Sequence, residues 1–296
     1  MSLCVLSVCL HNTGYCIVFN AAERLIETRL ELEGAAIQGL ASLDDNLYVL
    51  RRNKSLEQIE VYDINTYRLL HCLTVLGLHT AVDIVACGHN RRAYISDSSQ
   101  RSVHKISLFG EEIIEWPVKD TPGCLSLSIK HGVLVTCRKA RKIKEFTEKG
   151  ILLHEIVLSH DVSSPWHTIQ LSSSELIVCH GIYDDPLHRV CLIGSDGQVL
   201  KSFEGPPGSG RQNILDAPAY MAVDSNRCIF VIDRNNDRVL LLSPALTYVR
   251  EVVSHEQLQW KPYRLSIDVK RRRLYVAVSD CRHHACIAGR VIVLNV

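Results

Sequence analysis

Aromatic residues are scarce in this chain: they make up 6% of its 296 residues, with five Phe and three Trp. Any core must therefore come from Val, Leu and Ile, within a hydrophobic content of 47%. Such side chains suit strands packed on both faces. Charge of one sign is missing too, the formal net charge being +1. That excludes a globally basic nucleic-acid binder and confines any electrostatic partner to a local patch. No run approaches the roughly 20 apolar residues of a membrane-spanning helix. Residues 3–10 are apolar, but no Lys or Arg precedes them, a poor fit to a signal peptide. The 12 cysteines contain no Cys-x-x-Cys pair, so a zinc finger or redox motif is not expected. Their scatter through apolar runs reads as buried free thiols in a reducing, cytoplasmic setting.

What is present is a repeat. Six segments, 47–52, 93–97, 133–138, 176–180, 229–234 and 274–279, share an apolar strand followed by a polar loop and a second strand. Their centres, Val49, Ile95, Val135, Val178, Val231 and Val276, recur about 45 residues apart, the spacing of four-stranded propeller blades. The fifth repeat shows the order best: strand a at 220–224, b at 229–233, c at 238–243 and d at 248–253. Helix signals are nearly absent. Residues 21–32 have helix-forming composition, but their place after 15–19 fits a turn and strand.

The expected fold is therefore all-β, a propeller with repeats near 36–77, 78–120, 121–163, 164–212, 213–257 and 258–296. The last repeat stops after its c strand. Residues 1–35 hold strands that close the ring, because an open sheet edge invites aggregation. One of them, at 25–32, can supply the missing d strand. Those at 4–10 and 15–19 are left without a place, so a seventh, incomplete blade stays possible on sequence grounds.

Residues 203–244 are the most specific stretch. Gly205, Gly208 and Gly210 lead to Pro218, then Ala222-Val223-Asp224, then the run from Asp233 to Val239 with its Asp-Arg-Asn-Asn core. This resembles an NHL repeat, with weaker copies at 94–106 and 263–294. The resemblance implies a six-bladed propeller similar to the C-terminal domain of tripartite-motif ubiquitin ligases, which bind protein substrates or RNA. No RING ligand series or heptad region accompanies it here, so no ligase chemistry is expected of this chain.

Several motifs have plainer readings. The Gly-rich loop 205–210 lacks the Gly-Lys-Ser/Thr ending of a phosphate-binding loop and reads as a link between blades. Asp233 with Arg234 and Arg238 reads as a structural ion pair around a tight turn. Cys281, His283, His284 and Cys286 are too crowded for tetrahedral metal binding. No metal or cofactor is expected.

Cations in the b–c loops carry the functional expectation: Arg51, Arg52, Lys54, Arg101, Arg138, Lys139, Arg141, Lys142, Arg234, Arg238 and Arg282. In a propeller these loops share one face, and few carboxylates (Asp97, Asp233, Asp237, Asp280) accompany them. Such a patch would attract RNA phosphates or an acidic protein. No DNA-specific or membrane partner is indicated, and the chain is read as a non-catalytic binding platform. The alternative is a propeller hydrolase or lyase using the central channel, where inner strands offer Gln38, Asp83, Cys124, His167, Tyr220 and Arg264. Calcium takes about six to eight oxygen ligands, and one carboxylate among those residues is too few.

Overall fold

The computed structural model describes residues 6–9, 16–19, 26–32, 37–53, 56–108, 113–181, 185–208, 213–282 and 285–296. Near the N-terminus, β1 (Leu6–Cys9) and β2 (Cys16–Phe19) form a two-stranded sheet and, among the described residues, pair with no other strand. They are the strands for which the repeat pattern has no place. β3 (Ile26–Leu32) joins a sheet formed by the other end of the chain.

Six four-stranded antiparallel sheets follow. Blade 1 is β4 (Ile37–Leu43), β5 (Asn46–Asn53), β6 (Leu56–Asp63) and β7 (Leu69–Thr74). Blade 2 is β8 (Ala81–Cys87), β9 (Arg92–Asp97), β10 (Ser102–Ser107) and β11 (Ile113–Pro117). Blade 3 is β12 (Leu125–Leu127), β13 (Val133–Cys137), β14 (Lys142–Phe146) and β15 (Leu152–Val157). Blade 4 is β16 (Pro165–Gln170), β17 (Glu175–His180), β18 (Arg189–Gly194) and β19 (Val199–Phe203). Blade 5 is β20 (Pro218–Val223), β21 (Ile229–Asp233), β22 (Arg238–Leu242) and β23 (Tyr248–Val253). A single helical turn, α1 (His255–Leu258), leads into β24 (Lys261–Asp268), β25 (Arg273–Arg282) and β26 (Ala285–Asn295). Blade 6 takes its fourth strand from β3, which pairs with β26 from Leu32↔Gly289 to Ile26↔Leu294. The count is six blades.

The innermost strands β4, β8, β12, β16, β20 and β24 pack on one another in a closed circle. Neighbouring blades meet face to face, and each of the six seams holds an apolar cluster. This explains the aliphatic second strands: a b strand is covered on both faces by adjoining blades, so its run need not alternate. The six predicted centres, Val49, Ile95, Val135, Val178, Val231 and Val276, are all fully buried in b strands. Among the described cysteines, Cys87, Cys124, Cys137, Cys179, Cys191 and Cys228 are free and buried. Cys72 departs from that expectation: it lies exposed on the outer strand β7, which has a neighbour on one side only.

In four antiparallel strands the b–c loops and the d–a links fall at the same end. Two aspartates fasten them together there. Asp97, at the end of β9, accepts the N–H groups of His79 and Thr80 at 2.6 and 3.1 Å. Burial pushes its carboxyl up, but these donors with Gln100 N–H and the Ser99 hydroxyl pull it down to about 2. Asp233, at the end of β21, accepts Asp216 N–H at 2.7 Å and pairs with Arg238 Nε at 2.8 Å. The structural reading therefore holds for Asp233 with Arg238, whereas Arg234 makes no ion pair among the described residues.

Candidate functional site: the channel and the b–c face

The inner strands repeat one irregularity. Register shifts occur between Ile37 and Gly39, Ala81 and Asp83, Pro165 and His167, Pro218 and Tyr220, and Pro262 and Arg264. Each is a β-bulge, with one extra residue on the inner strand. In blade 3, Gly123 N–H and Cys124 C=O both bond Thr136, the same two-against-one pattern. The residue after the bulge is aimed at the axis. The channel ring is therefore Gly39, Asp83, Cys124, His167, Tyr220 and Arg264. Gln38, the sequence-based choice in blade 1, is the bulged residue instead, because the extra residue displaces the count by one. Gly39 has no room for a side chain: a Cβ would stand 2.7 Å from Ile84 N.

Three of the other channel side chains, Asp83, Tyr220 and Arg264, join one another at the axis. Arg264 Nε lies 3.3 Å from Asp83 Oδ1, and its Nη2 donates to Val82 O at 2.8 Å. Asp83 Oδ2 accepts the Tyr220 hydroxyl and Leu125 N–H, both at 2.9 Å. The Arg264 guanidinium also stands 5.2 Å from the ring centres of Tyr220 and Tyr263. Burial pushes the Asp83 carboxyl above the usual range, while Arg264 and the donors pull it back.

His167 stacks on Tyr220 with ring centres 3.8 Å apart. Its Nδ1 receives Met221 N–H at 3.3 Å, and its Nε2 faces Leu125 O at 3.2 Å. An amide can only donate and a carbonyl can only accept, so the ring is neutral with its proton on Nε2. Burial drives its pKa down to about 3. An unfolded histidine titrates near ~6.5. Between those values the unfolded chain binds the extra proton, so stability is present above that window and is lost as pH falls through it. Urea titrations from pH 7 to pH 4 are expected to show a His167→Gln variant losing less stability on acidification than the parent. The difference in slope should approach one proton, ~1.4 kcal/mol per pH unit. Parallel curves would show that His167 is not the buried neutral group described.

The predicted cations divide sharply. Arg51 is buried and donates to both Glu60 carboxylate oxygens at 2.8 and 3.0 Å. Arg52 bonds Glu57 at 2.6 Å, and Lys142 bonds Glu155 at 2.7 Å. Arg238 is buried between Asp233 and Glu251, at 2.8 and 3.6 Å. These four do not form a free basic surface. Their acids lie on strands b, c and d, where antiparallel register sets them beside the cation, so loop composition shows none of them but Asp233. Arg101, Lys139 and Arg141 are exposed and Arg234 is half-buried. Arg138 lies over the Trp166 ring, 5.0 Å from its centre. Lys54, His283 and His284 lie outside the described residues, as do the side chains of Arg282, Cys281 and Cys286.

A cavity of about 190 Å³ opens at the channel mouth on this face, between blades 2, 3 and 4. Pro122, Cys124, Arg138, Lys139, Pro165 and Trp166 are among its walls. Trp166 is the bulged residue of β16 and was not anticipated. A sequence signal for it exists: Pro122, Pro165, Pro218 and Pro262 each stand two residues before a channel position. Proline suits a strand start, where its missing N–H leaves no ladder bond unmade. A larger cleft of about 400 Å³ lies at the opposite end, where Asn226, Arg250, Ile267 and Arg272 line the seam of blades 5 and 6.

The closed ring of six four-stranded blades around a filled axis defines a six-bladed β-propeller. No family model and no curated protein matches the sequence. Among solved structures it is similar to virginiamycin B lyase from Staphylococcus aureus, with TM-score 0.61 and 9% identity over 90% of this chain and 99% of that one. A streptogramin B lyase gives TM-score 0.61 and 12% identity over 90% and 97%. A chain of a nidogen–laminin complex gives 0.60 and 13% over 79% and 85%. At these identities the likeness is one of fold.

Proposed function

We propose that this propeller is a non-catalytic platform that docks a protein partner on its b–c face. The observation that carries this reading is the filled channel. Asp83, Tyr220 and Arg264 are buried and joined to one another, and buried His167 stacks on Tyr220 with both ring nitrogens engaged by backbone groups, so no pair of them is placed to act on a bound molecule. A catalytic carboxylate or imidazole has to reach a reacting atom within hydrogen-bond distance. The lyase likeness, at 9% and 12% identity, is one of fold. Two points support a protein partner: one similar fold was solved within a protein–protein complex, and residues 203–244 resemble the NHL repeats of substrate-recognition domains in tripartite-motif ligases.

The test is face-selective photocrosslinking in cell lysate. A photoreactive side chain in place of Arg141, on the b–c face, is expected to give a discrete adduct that survives ribonuclease. The same group in place of Lys270, at the opposite end, is expected to give none. Equal labelling from both positions, or adducts abolished by ribonuclease, would overturn the assignment.

A further inference from the structure

The cavity between blades 2, 3 and 4 combines three features. First, its two cations are uncompensated. Among the described residues neither Arg138 nor Lys139 has a carboxylate partner, and Asp120, two residues before the cavity residue Pro122, is held by Lys144 at 2.7 Å. Second, Trp166 is part of its wall, and the indole N–H of that residue is buried with no hydrogen-bond partner among the described residues. Third, Val82, Pro122, Cys124 and Pro165 make the rest of the wall largely apolar. An apolar wall strengthens a guanidinium–carboxylate contact by excluding water. Outside the cavity, Arg101, Lys119 and Arg141 are exposed and extend the positive sector over blades 2 and 3.

From this arrangement we infer that the cavity receives an acidic side chain of the partner, a Glu or Asp within an acidic peptide segment. Its carboxylate meets Arg138 and Lys139, and flanking acids meet the outer cations. The inference rests on the protein-docking reading above. RNA fits less well. Unpaired bases need open aromatic or guanidinium faces to stack on. The Trp166 ring is covered by Arg138 and packed against the seams of blade 5.

Fluorescence anisotropy with a labelled hexaglutamate peptide, and with a labelled short oligouridine, tests it on the full chain. The parent is expected to bind the peptide, more weakly as salt rises, and to prefer it to the oligouridine. Arg138→Gln/Lys139→Gln should weaken peptide binding by about tenfold or more. Trp166→Phe keeps an aromatic ring at this position but removes the indole N–H, and should weaken binding by about threefold to fivefold. Lys270→Gln/Arg272→Gln, at the opposite end, should leave binding unchanged. Thermal melts establish that each variant is folded. Peptide binding insensitive to the Arg138/Lys139 change, equal loss in the opposite-end variant, or tighter binding of oligouridine overturns the inference. If the parent binds no hexaglutamate yet still gives a protein adduct from position 141, the carboxylate site fails and the docking face stands.

Discussion

A chain lacking residues 1–33 is expected to melt far below the full chain and to aggregate as it does so. The deletion removes β3 and leaves β26 as an unpaired edge. Leu32 is buried in the seam between blades 6 and 1 beside Ile37, Tyr62, Val291 and Val293, and Leu30 packs against that cluster. Each lost aliphatic side chain removes about 1.5–3 kcal/mol of burial. The exposed valines and backbone of β26 then form a template for pairing with a second chain. Removing residues 1–20 alone takes β1 and β2 but spares β3, and is expected to leave the melting temperature close to that of the parent. Scanning calorimetry and light scattering on both truncations check this. An unchanged melting temperature after loss of residues 1–33 would show that β3 does not hold the ring closed.

The second large effect is expected from Asp83→Ala. Arg264 would remain buried with no counter-charge, and Tyr220 and Leu125 N–H would lose their acceptor. Breaking a buried ion pair from one side costs about 3–5 kcal/mol. Asp83→Asn keeps an acceptor for both donors and should cost less. Removing both charges in Asp83→Ala/Arg264→Met should cost clearly less than the sum of the single changes, since the second change removes the stranded cation. Urea titrations of the four proteins give the coupling directly. Additive costs, or a loss below about 1 kcal/mol for Asp83→Ala, would mean that the axis is wet and the pair screened.

The legibility of the b–c face was uneven for a definite reason. Lys139 and Arg141 stand in a turn and are exposed, as a polar loop reading expects. Arg51 stands within β5 and Lys142 at the start of β14, and Glu60 and Glu155 neutralise them from facing strands. Loop composition does not report such partners, because cross-strand neighbours are set by register. The channel was clearer: five of its six residues were identifiable from the repeat, and the sixth was displaced by the bulge that places Gly39 instead of Gln38 on the axis.

By itself the sequence determined the repeat and its strands. A valine or isoleucine centre in each b strand, turn residues on either side and a regular period are local properties, and local spacing decides which residues face a seam. It also carried the means of closure, since the last repeat lacks a d strand and the first segment contains a spare one. Only the tertiary structure decided that the ring has six blades, that the axis is filled and that the free cations gather beside Trp166. Each of these depends on residues far apart in the chain: Asp83 and Tyr220 stand 137 residues apart and meet only because the ring closes. A carboxylate in a partly open ring would be hydrated and available. The same carboxylate in the closed ring is dry, ion-paired and structural, because burial makes the unpaired charge too costly to keep.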